Sequence, residues 1–130
     1  MMSSFWPTTY AQQFNAALAD GMNKKEKIVF SNTLQNAEWA NTRIVKGNII
    51  EETRKLKQIP GMEMVVLGSG SIINQFAEAG LVDEFQFMLH PVVLGEGTPI
   101  FSGLEKKLNM KLNSSRIFKS GKILLCYEAV

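Results

Sequence analysis

Apolar residues recur at two periods along the chain, and the elements follow the changes of period. From about Thr8 to Asp20, Tyr10, Phe14 and Leu18 stand four apart with Ala11 and Ala17 beside them, and Gly21 follows as a stop. That spacing predicts an amphipathic helix. Lys27 to Ser31 and Thr42 to Val45 are short β-branched runs separated by the polar stretch from Asn32 to Asn41, and each reads as a strand. Asn48 with Glu51 resembles a capping box and opens a helix to about Gln58 that carries Ile49, Ile50, Thr53 and Leu56 inward. Pro60-Gly61 ends it.

Met64 to Leu67 is apolar throughout and predicts a further strand; Ile72 to Ala79 returns to helical spacing, closed by Gly80. Strand alternating with helix predicts a parallel sheet covered on both faces. From Val82 the pattern changes to a long extended segment reaching Leu94, and then to a hairpin that pairs Met110 to Phe118 with Ile123 to Tyr127 across Lys119-Ser120-Gly121-Lys122. The expected fold class is α/β, with a mixed, mostly parallel sheet and an antiparallel C-terminal hairpin.

The 130 residues are enough for about one domain, with 45% hydrophobic and 20% charged residues, as in an ordinary globular protein. A net charge of +2 with scattered lysines gives no basic stripe, so nucleic acid is not an expected partner. No apolar run approaches the roughly 18 residues that span a bilayer, and the first residues lack the regions of a signal peptide. One cysteine, Cys126, permits no internal disulfide, and one histidine, His90, leaves no set for structural zinc. The cytoplasm is the expected compartment, and no metal is expected.

The chemistry of the chain centres on Gly68-Ser69-Gly70-Ser71, which joins the apolar run at Leu67 to the helical pattern from Ile72. Two glycines let backbone N–H groups approach an anion closely at a helix start, where the dipole adds roughly half a positive charge. The turn lacks the third glycine of a GxGxxG fingerprint, so by itself it serves equally as a tight connection. His90, before Pro91 in an apolar run, reads as structural rather than catalytic, and Cys126 as an inert buried thiol. Asp83, Glu84 and Glu96 are the carboxylates nearest these motifs, and a solvated turn explains each.

Four segments taken together resemble a known family: Lys27 to Leu34, Val65 to Ser71, Leu81 to Phe85, and His90-Pro91-Val92-Val93-Leu94-Gly95-Glu96-Gly97-Thr98-Pro99-Ile100-Phe101. They are similar to the dihydrofolate reductase-like proteins related to the reductase domain of the riboflavin-biosynthesis enzyme RibD. The resemblance implies a three-layer αβα fold that binds NADPH across the strand ends and passes hydride to a pterin-like or 5-amino-6-ribosylaminouracil-like heterocycle. It implies that Ser31, Thr33 and Leu34 lie near the adenosine ribose and its 2'-phosphate, and that Leu67, Gly68, Ser69, Gly70, Ser71 and Ile72 cradle the pyrophosphate. No Arg or Lys adjoins Ser31 in sequence, and Arg43 is the candidate cation for a 2'-phosphate.

Members of that family carry a strand, a loop over the nicotinamide and a Gly-Arg-x-Thr-Tyr-Glu type helix before the segment that resembles Met1 to Trp6. Against that pattern residues 1 to 130 read as one domain incomplete at its N-terminus, with no catalytic residue transferable. Two expectations follow. The chain is an NADPH-dependent reductase by family, or a non-catalytic nucleotide-binding or assembly remnant; and an unpaired sheet edge drives it to a homodimer.

Overall fold

The computed structural model describes residues 2–61 and 63–130, which divide into two compact units, Met1–Glu52 and Thr53–Val130. The first begins with one turn, α1 (Met2–Phe5), followed by α2 (Thr9–Lys24). Thr8 caps α2: its Oγ1 accepts from the Ala11 N–H at 3.2 Å and donates to the Phe5 carbonyl at 2.7 Å, so one hydroxyl starts α2 and fastens the preceding turn.

The helix is interrupted at Asn15, which is extended (φ −161°, ψ 95°) and whose Oδ1 accepts from the Leu18 N–H at 3.0 Å, capping the second stretch from within. The expected apolar stripe is not the buried side of α2. Ala11 and Ala19 are fully buried, whereas Tyr10 and Phe14 are 66% and 69% exposed and Leu18 is exposed as well. Gly21 does not stop α2, which continues to Lys24.

Next come β1 (Lys27–Phe30) and β2 (Thr42–Val45), where the β-branched runs predicted them. They pair in parallel, Lys27 opposite Thr42 and Phe30 opposite Val45. At the entry to the pair the Lys27 N–H donates to the Asn41 carbonyl at 2.8 Å, with Asn41 itself in the left-handed region at φ 59°. The Lys27 ammonium donates to the carbonyls of Met22, Asn23 and Lys25 at 2.9, 3.1 and 2.7 Å, joining the end of α2 to the start of β1. Cations near a helix C-terminus are favoured by the exposed carbonyls and the dipole. Helix α3 (Ile49–Gln58) starts as its cap predicted, the Asn48 Oδ1 accepting from the N–H groups of Ile50 and Glu51 at 3.0 and 3.3 Å. The division between the units falls inside α3, and Thr53 is the buried residue on it.

In the second unit the strand expected at Met64 to Leu67 does not form: these residues join no ladder and all four are exposed. A strand exists through its neighbour, and β propensity alone does not order a segment without one. Among the described residues parallel pairing is therefore confined to β1 and β2, and the strands of the second unit make a separate sheet. Helix α4 (Gly70–Glu78) begins inside the glycine turn rather than at Ile72. It ends as predicted at Gly80 (φ +64°), with Gly80 N–H to Ala77 carbonyl at 3.2 Å and Leu81 N–H to Phe76 carbonyl at 2.9 Å, a Schellman closure.

The second sheet contains β3 (Glu84–Leu89), β4 (Met110–Ile117) and β5 (Ile123–Ala129) in the antiparallel order β3-β5-β4. β3 stops before His90-Pro91, short of the expected Leu94, since proline offers no N–H to a ladder. The hairpin forms as expected, with Gly121 at φ +79° in its turn. Register sets Phe85 opposite Tyr127 and Phe87 opposite Leu125. Phe101 meets Phe85 and Phe87 edge-on at 5.9 and 6.0 Å between ring centroids, and Tyr127 meets Phe87 at 6.0 Å. Each such pair adds about 0.5–1.5 kcal/mol beyond the area it buries.

Candidate nucleotide-binding turns

Ser31 follows β1 directly, and its N–H donates to the Val45 carbonyl at 3.1 Å, which extends the parallel ladder past the last strand residue. The chain then folds over itself. Ser31 Oγ accepts from the Leu34 N–H at 3.1 Å and lies 3.5 Å from Thr33 Oγ1, so the structure brings Ser31, Thr33 and Leu34 into one exposed turn. Asn32 Oδ1 accepts from the Gly47 N–H at 2.9 Å, fixing this turn to the exit of β2. The turn thus stands at the carboxyl ends of two parallel strands, where open α/β sheets place ligands.

Arg43 is not at this end. Its Nε lies 3.3 Å from Glu26 Oε1, beside the residue that precedes β1, so the cation named from sequence for a 2'-phosphate is turned to the opposite end of the pair. Lys46 stands at the right end instead. Its Nζ donates to Gln35 Oε1 at 3.2 Å, and Gln35 Nε2 donates to the Thr33 carbonyl at 3.3 Å. Sequence reading missed both residues. The signal was the register of β1 and β2, which sends the residue after Val45 out beside the residue after Phe30.

In the second unit Ser69 is the N-cap of α4 (φ −80°, ψ 168°), and its carbonyl accepts from the N–H groups of Ile72 and Ile73, each at 3.1 Å. Its hydroxyl does not cap the helix but lies 2.8 Å from Ser71 Oγ. The N–H groups of Gly70 and Ser71, in the first turn, have no intrahelical acceptor by the geometry of a helix start. Gly68, Ser69, Gly70 and Ser71 are exposed, Ile72 is half-buried, and Leu67 is exposed just before them. Gly68 has φ +129°, a conformation that only glycine takes without strain. At Gly70 a Cβ would lie 3.8 Å from the Ile100 carbonyl oxygen, an ordinary contact, so the fold does not itself require glycine there. Donor N–H groups, two hydroxyls and an open approach match the chemistry of a diphosphate.

Behind the turn, Asn74 on α4 donates through Nδ2 to the Ser102 carbonyl at 2.8 Å, and Glu78 Oε1 accepts from the Glu105 N–H at 2.8 Å. Helix α4 is thereby strapped to the segment that follows Phe101. Of the three carboxylates noted in the sequence, Asp83 pairs with Lys57, Glu84 accepts from Gln86 Nε2 at 2.6 Å, and Glu96 is exposed between Gly95 and Gly97. His90 is exposed after β3, and Cys126 is a buried free thiol. No group of residues able to hold a metal ion occurs among the described residues, nor does a helix long and apolar enough to cross a membrane.

Comparison with known proteins gives the same family from sequence and the same fold from structure. A profile of the RibD C-terminal domain matches residues 1–124. The uncharacterized Bacillus subtilis protein YyaP is 42% identical over 107 residues, which are 82% of this chain and 56% of YyaP. YwjB of the same organism, also uncharacterized, is 33% identical over 66 residues, 51% of this chain and 38% of YwjB. The chain therefore spans about half, or less, of the length of these curated relatives. A crystal structure of a protein assigned to riboflavin biosynthesis in Shewanella sp. PV-4 overlays 92% of this chain and 70% of its own, with a TM-score of 0.67 at 22% identity. A pyrimidine reductase-like protein of Corynebacterium diphtheriae overlays 79% of this chain and 49% of its own, with a TM-score of 0.55 at 14% identity. The chain has the dihydrofolate reductase-like α/β fold, and it belongs to the RibD C-terminal domain family.

Proposed function

We propose that the protein is an NADPH-dependent reductase that transfers hydride to a pterin-like or 5-amino-6-ribosylaminouracil-like heterocycle. The observation that carries this reading is the exposed turn Leu67 to Ile72 at a helix start, in a member of a reductase-related family; in the other unit the exposed turn Ser31 to Leu34 after a parallel strand supports it by itself. On this reading Ser31 and Thr33 hold the ribose end of the cofactor by their hydroxyls. The Gly70 and Ser71 N–H groups hold the diphosphate, whose negative charge the N-terminus of α4 favours. When bound, the nicotinamide supplies a hydride, and the protein's share is orientation and electrostatics.

A second function, nucleotide binding without chemistry, is favoured by one observation: of the carboxylates near the motifs, Asp83 pairs with Lys57 and Glu84 accepts from Gln86. One experiment separates the two. The 130-residue protein is titrated with NADPH and then assayed for NADPH oxidation with dihydrofolate and with a ribosylaminopyrimidine. Binding with turnover supports the reductase, binding without turnover on either substrate supports the module, and absence of binding contradicts both.

The reductase acts as a cytoplasmic homodimer on this reading. The outer edge of β4 carries Lys111, a bulge between Leu112 and Ser114, and Arg116, all of which discourage pairing with another strand. Met64 to Leu67 has no such guard: it is apolar, exposed and outside any ladder, and it supports self-association through this segment. Cys126, a buried free thiol, accords with a reducing compartment.

A further inference from the structure

Helix α4 is met along its whole length by one stretch of chain. Gly70, Asn74 and Glu78 stand four residues apart and share one face of the helix. A Cβ at Gly70 would lie 3.8 Å from the Ile100 carbonyl oxygen, Asn74 Nδ2 donates to the Ser102 carbonyl at 2.8 Å, and Glu78 Oε1 accepts from the Glu105 N–H at 2.8 Å. The helix and the segment 100–105 therefore run side by side in the same direction, from the glycine turn to the last residue of α4. The segment is itself fixed: between Ile100 and Ser102 the Phe101 ring meets Phe85 and Phe87 of β3 edge-on at 5.9 and 6.0 Å. The sheet places the segment, and the segment places the helix.

Asn74 makes the central contact at a cost. It is 9% exposed, and its Oδ1 is buried without a hydrogen bond from any described residue. A buried acceptor left without a donor costs about as much as one hydrogen bond returns, so the amide as a whole adds little to stability. A leucine of nearly the same size would fill the place without that cost, and Ser102 is exposed, so its carbonyl would turn to water. What the leucine would not supply is direction. A hydrogen bond fixes a distance and an angle, whereas apolar contact is non-directional and lets one element slide along another. The Asn74 bond thus fixes the axial position of α4, one turn below the N–H groups of Gly70 and Ser71.

We infer that Asn74 is a positioning residue for the diphosphate: by holding α4 to the Ser102 carbonyl it sets where the helix N-terminus presents its free N–H groups, with Glu78 as a second tie one turn further on. The inference rests on the proposed nucleotide-binding function and adds to it the residues that aim the turn. Polar groups retained inside a fold at no gain in stability, and with a defined geometric effect, are expected where function demands precision.

The test compares the 130-residue protein with Asn74→Leu by thermal melting, by calorimetric titration with NADPH, and by phosphorus NMR at saturating NADPH, which separates the diphosphate resonances from that of the 2'-phosphate on the same molecule. Asn74→Leu is expected to melt at or above the wild-type temperature and to bind NADPH about tenfold more weakly, since a hydrogen bond to a charged group is worth roughly that factor. Its bound diphosphate resonances are expected to move toward their positions in free NADPH while the 2'-phosphate resonance stays in place. Glu78 is exposed, and Glu78→Ala is expected to weaken NADPH about threefold, the worth of a modest hydrogen bond, with Glu78→Gln, which keeps an acceptor, restoring the wild-type affinity. Wild-type affinity in Asn74→Leu or in Glu78→Ala overturns the inference and leaves nucleotide binding standing, as does equal movement of all three resonances. A melt of Asn74→Leu well below the wild type makes the bond a stability contact and overturns the inference too. Failure of the wild-type protein to bind NADPH overturns the function and the inference together.

Discussion

The Lys27 ammonium stands 4.6 Å from the centre of the Trp39 ring, and the indole Nε1 of Trp39 donates to Asn23 Oδ1 at 2.7 Å. Asn23 also donates through Nδ2 to the Trp6 carbonyl at 2.9 Å and accepts on its own carbonyl from Asn41 Nδ2 at 3.0 Å. One cluster thus gathers the start of α2, its end, the first residue of β1 and the far side of the loop that begins at Ser31. The near side of that loop holds the proposed ribose contacts, and the cluster anchors its far side at Trp39 and Asn41.

Replacing Trp39 by Phe keeps a ring under the ammonium and removes the indole donor. Urea unfolding of Trp39→Phe is expected to show a loss of about 1 kcal/mol, the usual worth of one hydrogen bond, with Asn23 Oδ1 left without its donor. Lys27→Met, which removes the cation and its three donations to carbonyls, is expected to cost more, about 2–3 kcal/mol. Equal midpoints for Lys27→Met and the wild type would show that the cluster does not hold the first unit together.

The two glycines of the second turn are expected to behave differently. Gly68, at φ +129°, cannot accept a side chain without strain, so Gly68→Ala is expected to lose about 1–2 kcal/mol of stability. At Gly70 a Cβ meets nothing closer than 3.8 Å, so Gly70→Ala is expected to melt like the wild type and to bind NADPH more weakly because the methyl group crowds the diphosphate. Paired thermal melts and titrations check both; a Gly70→Ala protein with unchanged affinity places the diphosphate elsewhere.

The contrast between these turns and the rest of the chain shows what the sequence made legible. Caps, β-branched runs and the hairpin are local signals, and Thr42 to Val45, Asn48 and Gly80 took the roles their neighbours dictate. Met64 to Leu67 carries equally strong β propensity and forms no strand, because a ladder depends on a partner that propensity does not encode. The exposed row of Tyr10, Phe14 and Leu18 has a similar origin: an apolar period marks a helix face without naming what covers it, and the break at Asn15 leaves no mark on that period. Lys46 is the same lesson at the site, since only the register of two strands brings it to Ser31.

Stability in acid is expected to fall through two surface carboxylates. Hydrogen bonds from Gln12 and Lys24, with the Lys24 charge, hold Asp20 below its ordinary 3.8, and those from Lys111 and Asn113, with the Lys111 charge, hold Glu128 below 4.5. Both contributions are present above these ordinary values and are lost as pH falls through the depressed ones, because the unfolded chain then binds protons that the folded chain does not. The melting temperature of Glu128→Gln is expected to decline less steeply in this range than that of the wild type. Parallel declines would show that Glu128 gains nothing from Lys111 and Asn113.

The proposed self-association through Met64 to Leu67 is tested by a single charge. Val65 is 73% exposed, so Val65→Lys is expected to fold normally and to lower the mass measured by light scattering at micromolar concentration from dimer to monomer. A dimer that persists in Val65→Lys is held by another surface, and a wild-type monomer removes the homodimer from the account.

The most direct measurement is the titration of the wild-type protein with NADPH, followed by the fluorescence of Trp6 and Trp39, with NADH as comparison. Trp39 lies in the loop that begins at Ser31 and is fixed at Asn23, so occupation of the turn reaches the indole through a short, tethered segment. Saturable quenching with a clear preference for NADPH is expected. No quenching by either cofactor up to millimolar concentration, with no heat of binding in a parallel calorimetric titration, would contradict it.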